Sequence, residues 1–213
     1  MTTKIRRVPV SPLPLSSMTN QEQFELVQSV IKSRRSVSWS KMNGQIIPDA
    51  AIDQLLELAH WAPTHGRTEP WFFFVYTGDA MKQFAQSHAD LYWSTTAEDK
   101  RQEATYEKLA HNTDMASHLI IATMKRGANV KIPKVEEIAA ASAAVQNILL
   151  GASALGIASF WSTGGLNHSD ALKELLGLGA DDVILGMLFL GYTSEPAKDG
   201  VRNSQVAEKV KWL

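Results

Sequence analysis

The spacing of apolar residues along the chain predicts helices that surround a sheet. Apolar positions recur every three or four residues over 23–33, where Thr19 or Asn20 caps a first helix. A second helix carries Ile52, Leu55, Leu56 and Ala59. It begins at Pro48, a residue type suited to the first helical position, and stops before Pro63.

Short apolar runs rich in β-branched and aromatic residues predict four strands, and the sheet is expected to hold four or five. An alanine-rich helix over 135–155 ends at Gly156, and Ser169 caps a short helix that stops at Gly177. Strands and helices mix irregularly, which indicates one α+β domain over 19–213, preceded by a proline-dotted arm over 1–18. The predicted strands are WFFFVYTG (71–78), HLIIATM (118–124), IASFW (157–161) and VILGMLFLGY (183–192), and two mostly helical segments occupy 79–112.

Composition narrows the class of protein. The 213 residues are 45% hydrophobic and carry 21 basic and 22 acidic residues, without the clustered basic excess of a nucleic-acid binder. The longest apolar stretch, 138–155, contains Ser142, Gln146 and Asn147, so it predicts a buried helix and no membrane span. Prolines interrupt the apolar residues near the N-terminus, which argues against a signal peptide, and we expect a cytoplasmic protein.

The sequence lacks the motifs of several familiar classes of enzyme. The dinucleotide fingerprint fails after Gly177-Leu178-Gly179, and no phosphate-binding P-loop occurs. GASAL (151–155) lacks the second glycine of a nucleophile elbow, and a chain with no cysteine has no thiol nucleophile. The six histidines show no ligand pair at three- or four-residue spacing, so no metal site is expected.

Three segments remain as candidate sites. Arg34, Arg35 and Ser36 follow the first helix, where two guanidinium groups and a hydroxyl suit a phosphate, although arginines there also simply complement the helix dipole. Residues 62–71 concentrate histidine, arginine and carboxylate before a strand, as a binding loop or as a solvated turn. The glycines in 161–165 allow backbone amides to approach a flat ligand, or form a plain strand-to-helix turn.

Taken in order, these segments resemble the nitroreductase family. The family pattern has an R-x-S after the first long helix, an A-P-S-x-x-N-x-Q-P-W loop, an alanine-rich Q-N-L-L-L helix, a strand leading into a glycine turn, and an L-G-Y strand end. The resemblance extends over roughly residues 20–213. The matching segments here are Arg34-Arg35-Ser36, APTHGRTEPW (62–71), AAVQNILLGASALG (143–156), SFWSTGG (159–165) and FLGY (189–192).

The resemblance implies a three-layer α/β/α sandwich with a central, mostly antiparallel sheet. It also implies an intertwined homodimer that binds FMN at its interface, with no catalytic side chain and no metal. Arg34 and Ser36 match the phosphate contacts, and Arg35 contributes nearby. Arg202 matches a basic residue near the C-terminus that often completes the phosphate site. The residues matched to the loop that reaches the flavin from the partner are His65, Arg67 and Glu69, and those matched to the turn at the reactive N5 edge are Trp161, Ser162, Thr163, Gly164 and Gly165.

This chain departs from the family pattern at three positions. Arg67 replaces the usual asparagine, Glu69 the usual glutamine, and Ser38 a basic residue often found there. Arg67 is therefore our candidate for a cation beside the flavin N1 edge, where negative charge develops on reduction. The alternative is a surface ion pair between Arg67 and Glu69 with no redox role.

The activity implied by the resemblance is transfer of hydride from NADH or NADPH, through FMN, to a small electron acceptor such as a nitroaromatic or a quinone. Donor and acceptor would use the same slot in turn, as in a ping-pong reaction, and the cofactor would carry the chemistry. Three alternatives stay open at this point: an FMN storage or sensing protein, another flavin chemistry such as oxidative flavin breakdown or dehalogenation, and a helical interaction protein without cofactor.

Overall fold

A computed structural model describes residues 18–128 and 131–213, and it contains one four-stranded antiparallel sheet. The strand order is β1-β2-β4-β3, so β1 and β3 form the two edges. All four predicted strands are present. The predicted arm over 1–18 lies outside the described residues except for Met18. The strands are β1 (Trp71–Thr77), β2 (His118–Met124), β3 (Ala158–Ser162) and β4 (Val183–Gly191).

Six α-helices accompany the sheet in the described part of the chain, close to the predicted positions. Thr19 caps the first helix through a reciprocal capping box with Glu22, and Ser169 caps the last by accepting from the Leu172 amide. Pro48 was predicted to be the first helical residue, but its extended backbone makes it the cap of the second helix. The helices are α1 (Asn20–Ser33), α2 (Asp49–His60), α3 (Gly78–Thr95), α4 (Glu103–His111), α5 (Lys134–Ala154) and α6 (Asp170–Leu175).

Apolar residues cover both faces of the sheet and produce three layers. Because successive strand residues point to opposite faces, Ile120 of β2 packs with α2 and α5 on one side, whereas Ile121 packs with α3 and α6 on the other. Gly151 lets α5 approach α2 closely, since a Cβ there would lie 2.6 Å from Leu58 Cδ1. The predicted α/β/α sandwich with an antiparallel sheet is confirmed.

The apolar face of helix α1 is left uncovered by the other residues that the structure describes. Its periodic residues Phe24, Val27 and Ile31 are 58, 57 and 49% exposed, and no residue of the helix is buried. Isolated apolar side chains on a surface are ordinary, but a helical stripe of this kind is typical of an interaction surface.

Candidate functional site

The segment Arg34-Arg35-Ser36 lies against the edge strand β3. Arg34 closes α1 by donating its backbone amide to Val30, and the chain then extends so that Ser36 pairs in parallel with Ser159. This pairing is possible because no other described strand lies along the outer edge of β3. Arg34 is half-buried, and neither its guanidinium nor the Ser36 hydroxyl has a hydrogen-bond partner among the described residues. Both groups suit a phosphate.

The Arg35 guanidinium, in contrast, donates hydrogen bonds to backbone carbonyl oxygens. Its Nε donates to the Lys198 carbonyl at 2.7 Å, and its Nη1 donates to the Lys32 and Arg34 carbonyls at 2.6 and 3.0 Å. Arg202 follows four residues after Lys198. Its exposed side chain donates only to the Val201 carbonyl at 2.9 Å, within the described parts of the chain.

The glycine turn, residues 163–165, follows β3. It is stabilised by the side chain of Asn167, a residue that the sequence did not indicate. The buried Asn167 amide donates to the Gly164 carbonyl at 2.6 Å and to the Ser162 carbonyl at 3.4 Å. Asn167 thus fixes carbonyl oxygens of the turn on its inner side. The backbone amides of Thr163, Gly164 and Gly165 have no acceptor among residues 18–128 and 131–213. Such free amides suit an electron-rich edge of a ligand ring.

The side chain of Trp161 packs on the sheet. The indole Nε1 donates to the Leu185 carbonyl at 2.9 Å, where an irregularity in the β2–β4 register accompanies Gly186. Gly186 has a φ of 140°, and a Cβ there would collide with the indole and lie 2.6 Å from the Ser162 carbonyl oxygen. The backbone of Trp161 therefore leads into the turn while its ring packs on the sheet. A glycine inside the strand VILGMLFLG was the only sequence signal for this bulge.

A buried imidazole lies beneath the same turn. His88 of α3 is 2% exposed, stacks on Phe84 at 5.8 Å, and lies 4.0 Å from a Cβ built on Gly165. Neither of its ring nitrogens has a hydrogen-bond partner in the described structure. Burial lowers the pKa of His88 from 6.5 to about 4, so the ring is neutral at physiological pH.

The predicted binding loop contains a 3-10 turn, His65–Arg67, docked on α5. His65 Nδ1 lies 2.5 Å from Glu136 Oε2, and the Thr64 hydroxyl accepts from the Glu69 amide at 3.2 Å. Arg67 and Glu69 adopt left-handed φ values of 54° and 45°, which are uncommon outside glycine and asparagine. These contacts hold a strained loop in one conformation.

An open cavity of about 340 Å³ lies between part of this loop and α5. Small side chains on the helix leave the space open, and the His65–Glu136 pair forms its polar wall. Glu69 lies 3.9 Å from His60, and Arg67 has no ion-pair partner in the part of the chain that the structure describes. The alternative of an Arg67–Glu69 surface pair is therefore absent from the structure. The cavity is lined by Pro63, Thr64, His65, Glu136, Ala139, Ala140 and Ala143.

The two halves of the predicted site lie at opposite edges of the sheet within one chain. The loop before Trp71 leads into β1, whereas Ser36 and the turn after Ser162 belong to the β3 edge. Three inter-strand spacings separate these edges, about 14 Å in all. No described helix is long and apolar enough to span a membrane, and no three described His, Asp or Glu side chains form a metal cluster.

Comparisons with known proteins give the family. The family model described as "Nitroreductase family" matches residues 31–192. The chain is 30% identical to the "Putative NADH dehydrogenase/NAD(P)H nitroreductase" of Archaeoglobus fulgidus over 78% of its own length and 84% of that protein.

Solved structures have the same fold. A nitroreductase-like family protein from Bacillus cereus superimposes with a TM-score of 0.72 at 27% identity, and the match covers 88% of this chain and 95% of that one. The FMN-dependent nitroreductase NfnB from Mycobacterium smegmatis, solved with NADPH, gives a TM-score of 0.70 at 17% identity over 90 and 99% of the two chains. A family model that matches most of the chain, together with these relatives, shows that the protein belongs to the nitroreductase family.

Proposed function

We propose that the protein is an FMN-dependent oxidoreductase that takes hydride from NADH or NADPH and passes it to a small acceptor such as a nitroaromatic or a quinone. The nitroreductase family model and the NfnB neighbour, an FMN-dependent nitroreductase solved with NADPH, support this class of activity. Donor and acceptor occupy the same slot in turn, which makes the reaction ping-pong.

The phosphate of the cofactor binds at the end of α1. The observation that supports this proposal is that the Arg34 guanidinium and the Ser36 hydroxyl, two residues apart where Ser36 pairs with Ser159, have no partner among the described residues. An arginine fork and a hydroxyl form charge-assisted and neutral hydrogen bonds to phosphate oxygens. Arg202, carried by the tail, adds a second cation.

The ring binds at the glycine turn that follows β3. FMN supplies hydride acceptance and donation at N5 when it is bound. The chain contributes the amides of Thr163, Gly164 and Gly165, which Asn167 orients by holding carbonyl oxygens of the turn. About 10 Å of extended strand separate Ser159 from Ser162, so the phosphate and ring subsites lie along one edge of the sheet.

A second copy of the chain completes the site. In this proposal, the loop with His65, Arg67 and Glu69, which lies at the opposite edge of its own sheet, approaches the β3 edge of a partner protomer. The uncovered apolar stripe of α1 supports an interface of this kind, as do exposed apolar residues in the tail such as Val206 and Trp212. We therefore propose an intertwined homodimer with two equivalent sites.

The test is an absorbance spectrum of the purified protein, followed by anaerobic titration with NADH and with NADPH. We expect a flavin spectrum that bleaches with at least one nicotinamide and recovers when a quinone or a nitroaromatic is added. Bound flavin that neither nicotinamide reduces would overturn the enzymatic proposal in favour of a storage or sensing protein. A colourless protein that binds no added FMN would overturn the cofactor assignment.

A further inference from the structure

The tail that follows β4 runs beside the segment between α1 and α2. The Asn43 amide donates to the Tyr192 carbonyl at 2.9 Å, and the Thr193 hydroxyl donates to the Lys41 carbonyl at 2.7 Å. The Lys41 ammonium then pairs with Glu195 at 2.7 Å. These contacts lead the tail back toward the end of α1.

Arg35 makes the next contact in this series. Its guanidinium joins the Lys198 carbonyl of the tail to the Lys32 carbonyl at the end of α1. Gly200 lies directly against it, because a Cβ added there would be 2.7 Å from Nη2 and 2.9 Å from Cζ. Among the described residues, this is the last hydrogen bond from the tail to the body of the protein before Arg202.

We propose that Arg35 is a positioning residue that fastens the tail to α1 and thereby brings Arg202 to the phosphate subsite of Arg34 and Ser36. The inference rests on the proposed FMN site and assigns Arg35 a role separate from direct phosphate contact. Its Nε and Nη1 donate to three carbonyl oxygens, whereas the neighbouring Arg34 guanidinium has no partner among the described residues.

The length of chain between the last anchor and Arg202 determines how closely Arg202 is held. Arg202 is two residues beyond Gly200, so its Cα lies at most about 7 Å from the glycine Cα. When Arg35 does not hold Lys198, the nearest preceding anchor is Glu195, and about 25 Å of chain can then extend between it and Arg202. Release therefore lowers the effective concentration of the Arg202 cation at the phosphate without removing any phosphate-binding group.

The experiment compares the dissociation constants of FMN and riboflavin for the full-length protein, measured by flavin fluorescence quenching after removal of endogenous flavin. Riboflavin lacks the phosphate, so it reports on the ring subsite alone. For Arg35→Gln we expect FMN affinity to fall about tenfold, and riboflavin affinity to stay within about twofold of the wild type. Equal losses for both ligands would overturn the positioning role.

Three further variants keep the test sharp even if Arg35→Gln folds poorly. Gly200→Ala retains the arginine but forces its guanidinium away, and it should weaken FMN selectively. Arg35→Lys retains the charge without the fork and should behave like Arg35→Gln, whereas near-normal FMN affinity would show that charge alone matters. Lys198→Ala is the matched control, because Arg35 binds the backbone carbonyl at that position, and it should bind FMN normally.

A double-mutant cycle tests whether Arg35 acts through Arg202. Adding Arg35→Gln to Arg202→Gln should cause no further loss of FMN affinity, and additive losses would show that Arg35 acts independently. Failure of the wild-type protein to bind FMN would instead overturn the proposed function. A wild type that binds FMN, with Arg35 variants that leave the ratio of FMN to riboflavin affinity unchanged, would overturn this inference alone.

Discussion

Acidification should destabilise the protein through His88. The imidazole is buried beneath the glycine turn, and burial lowers its pKa from 6.5 to about 4. Between these two pKa values His88 is protonated in the unfolded chain and neutral in the folded chain, so the free energy of unfolding falls as the pH drops through this window. One pKa unit corresponds to about 1.4 kcal/mol, which gives a loss of about 2 kcal/mol between pH 7 and pH 5 from this group.

The assay is urea unfolding at both pH values with a fixed excess of FMN, on the wild type and on His88→Phe. Phenylalanine retains the ring stack on Phe84 and cannot titrate. The variant should therefore lose about 2 kcal/mol less than the wild type on acidification. The exposed His168 provides the control, because His168→Gln should keep the wild-type difference. Equal pH dependence in the wild type and His88→Phe would refute the reasoning.

Four other outcomes are expected. Arg34→Ala should be purified largely colourless, and unchanged FMN affinity would place the phosphate elsewhere. Light scattering at micromolar concentration should give a dimer, and an FMN-loaded monomer would contradict the two-chain site. Gly186→Ala should lower the unfolding free energy by about 2–5 kcal/mol through overpacking and backbone strain. Gly179→Ala is the mild control. A loss below about 0.5 kcal/mol for Gly186→Ala, roughly the usual effect of a surface substitution, would contradict the bulge geometry. Arg67→Ala should lower the flavin midpoint potential and slow bleaching by NADPH, whereas unchanged values would make Arg67 structural.

The strands and helices were predictable because their signals are local. The alanine-rich helix ends before Gly156, whose left-handed φ of 69° is typical of a glycine that ends a helix, and Ser169 caps its helix as expected. The error at Pro48 was one residue, since a proline with an extended ψ caps a helix as well as it starts one. Helix caps and helix ends of this kind depend only on residues that are neighbours in the sequence.

The parts of the site that the sequence did not reveal depend on contacts between distant segments. Arg35 and Lys198 are 163 positions apart, and His65 and Glu136 are 71 apart, so no periodicity connects them. An asparagine in a turn, such as Asn167, gives no signal that its amide binds two carbonyls behind it. A histidine within a helix, such as His88, gives no signal of its burial until the glycine turn packs over it.

The backbone at Arg67 provides a second test of its proposed redox role. An arginine at φ 54° is strained, whereas the asparagine of the family pattern tolerates this region more easily. Such strain persists where the surroundings enforce it, and here the Thr64 hydroxyl and the His65–Glu136 contact hold the loop. Because no described residue pairs with the guanidinium, the loop presents an unpartnered cation at its surface. Glycine at this position should therefore relieve strain and remove the cation together, raising the unfolding free energy while lowering the midpoint potential. Relief of backbone strain is expected in either case, so the midpoint potential separates the two roles. An electrostatic role predicts a lower potential for Arg67→Gly, whereas a purely structural role predicts an unchanged one.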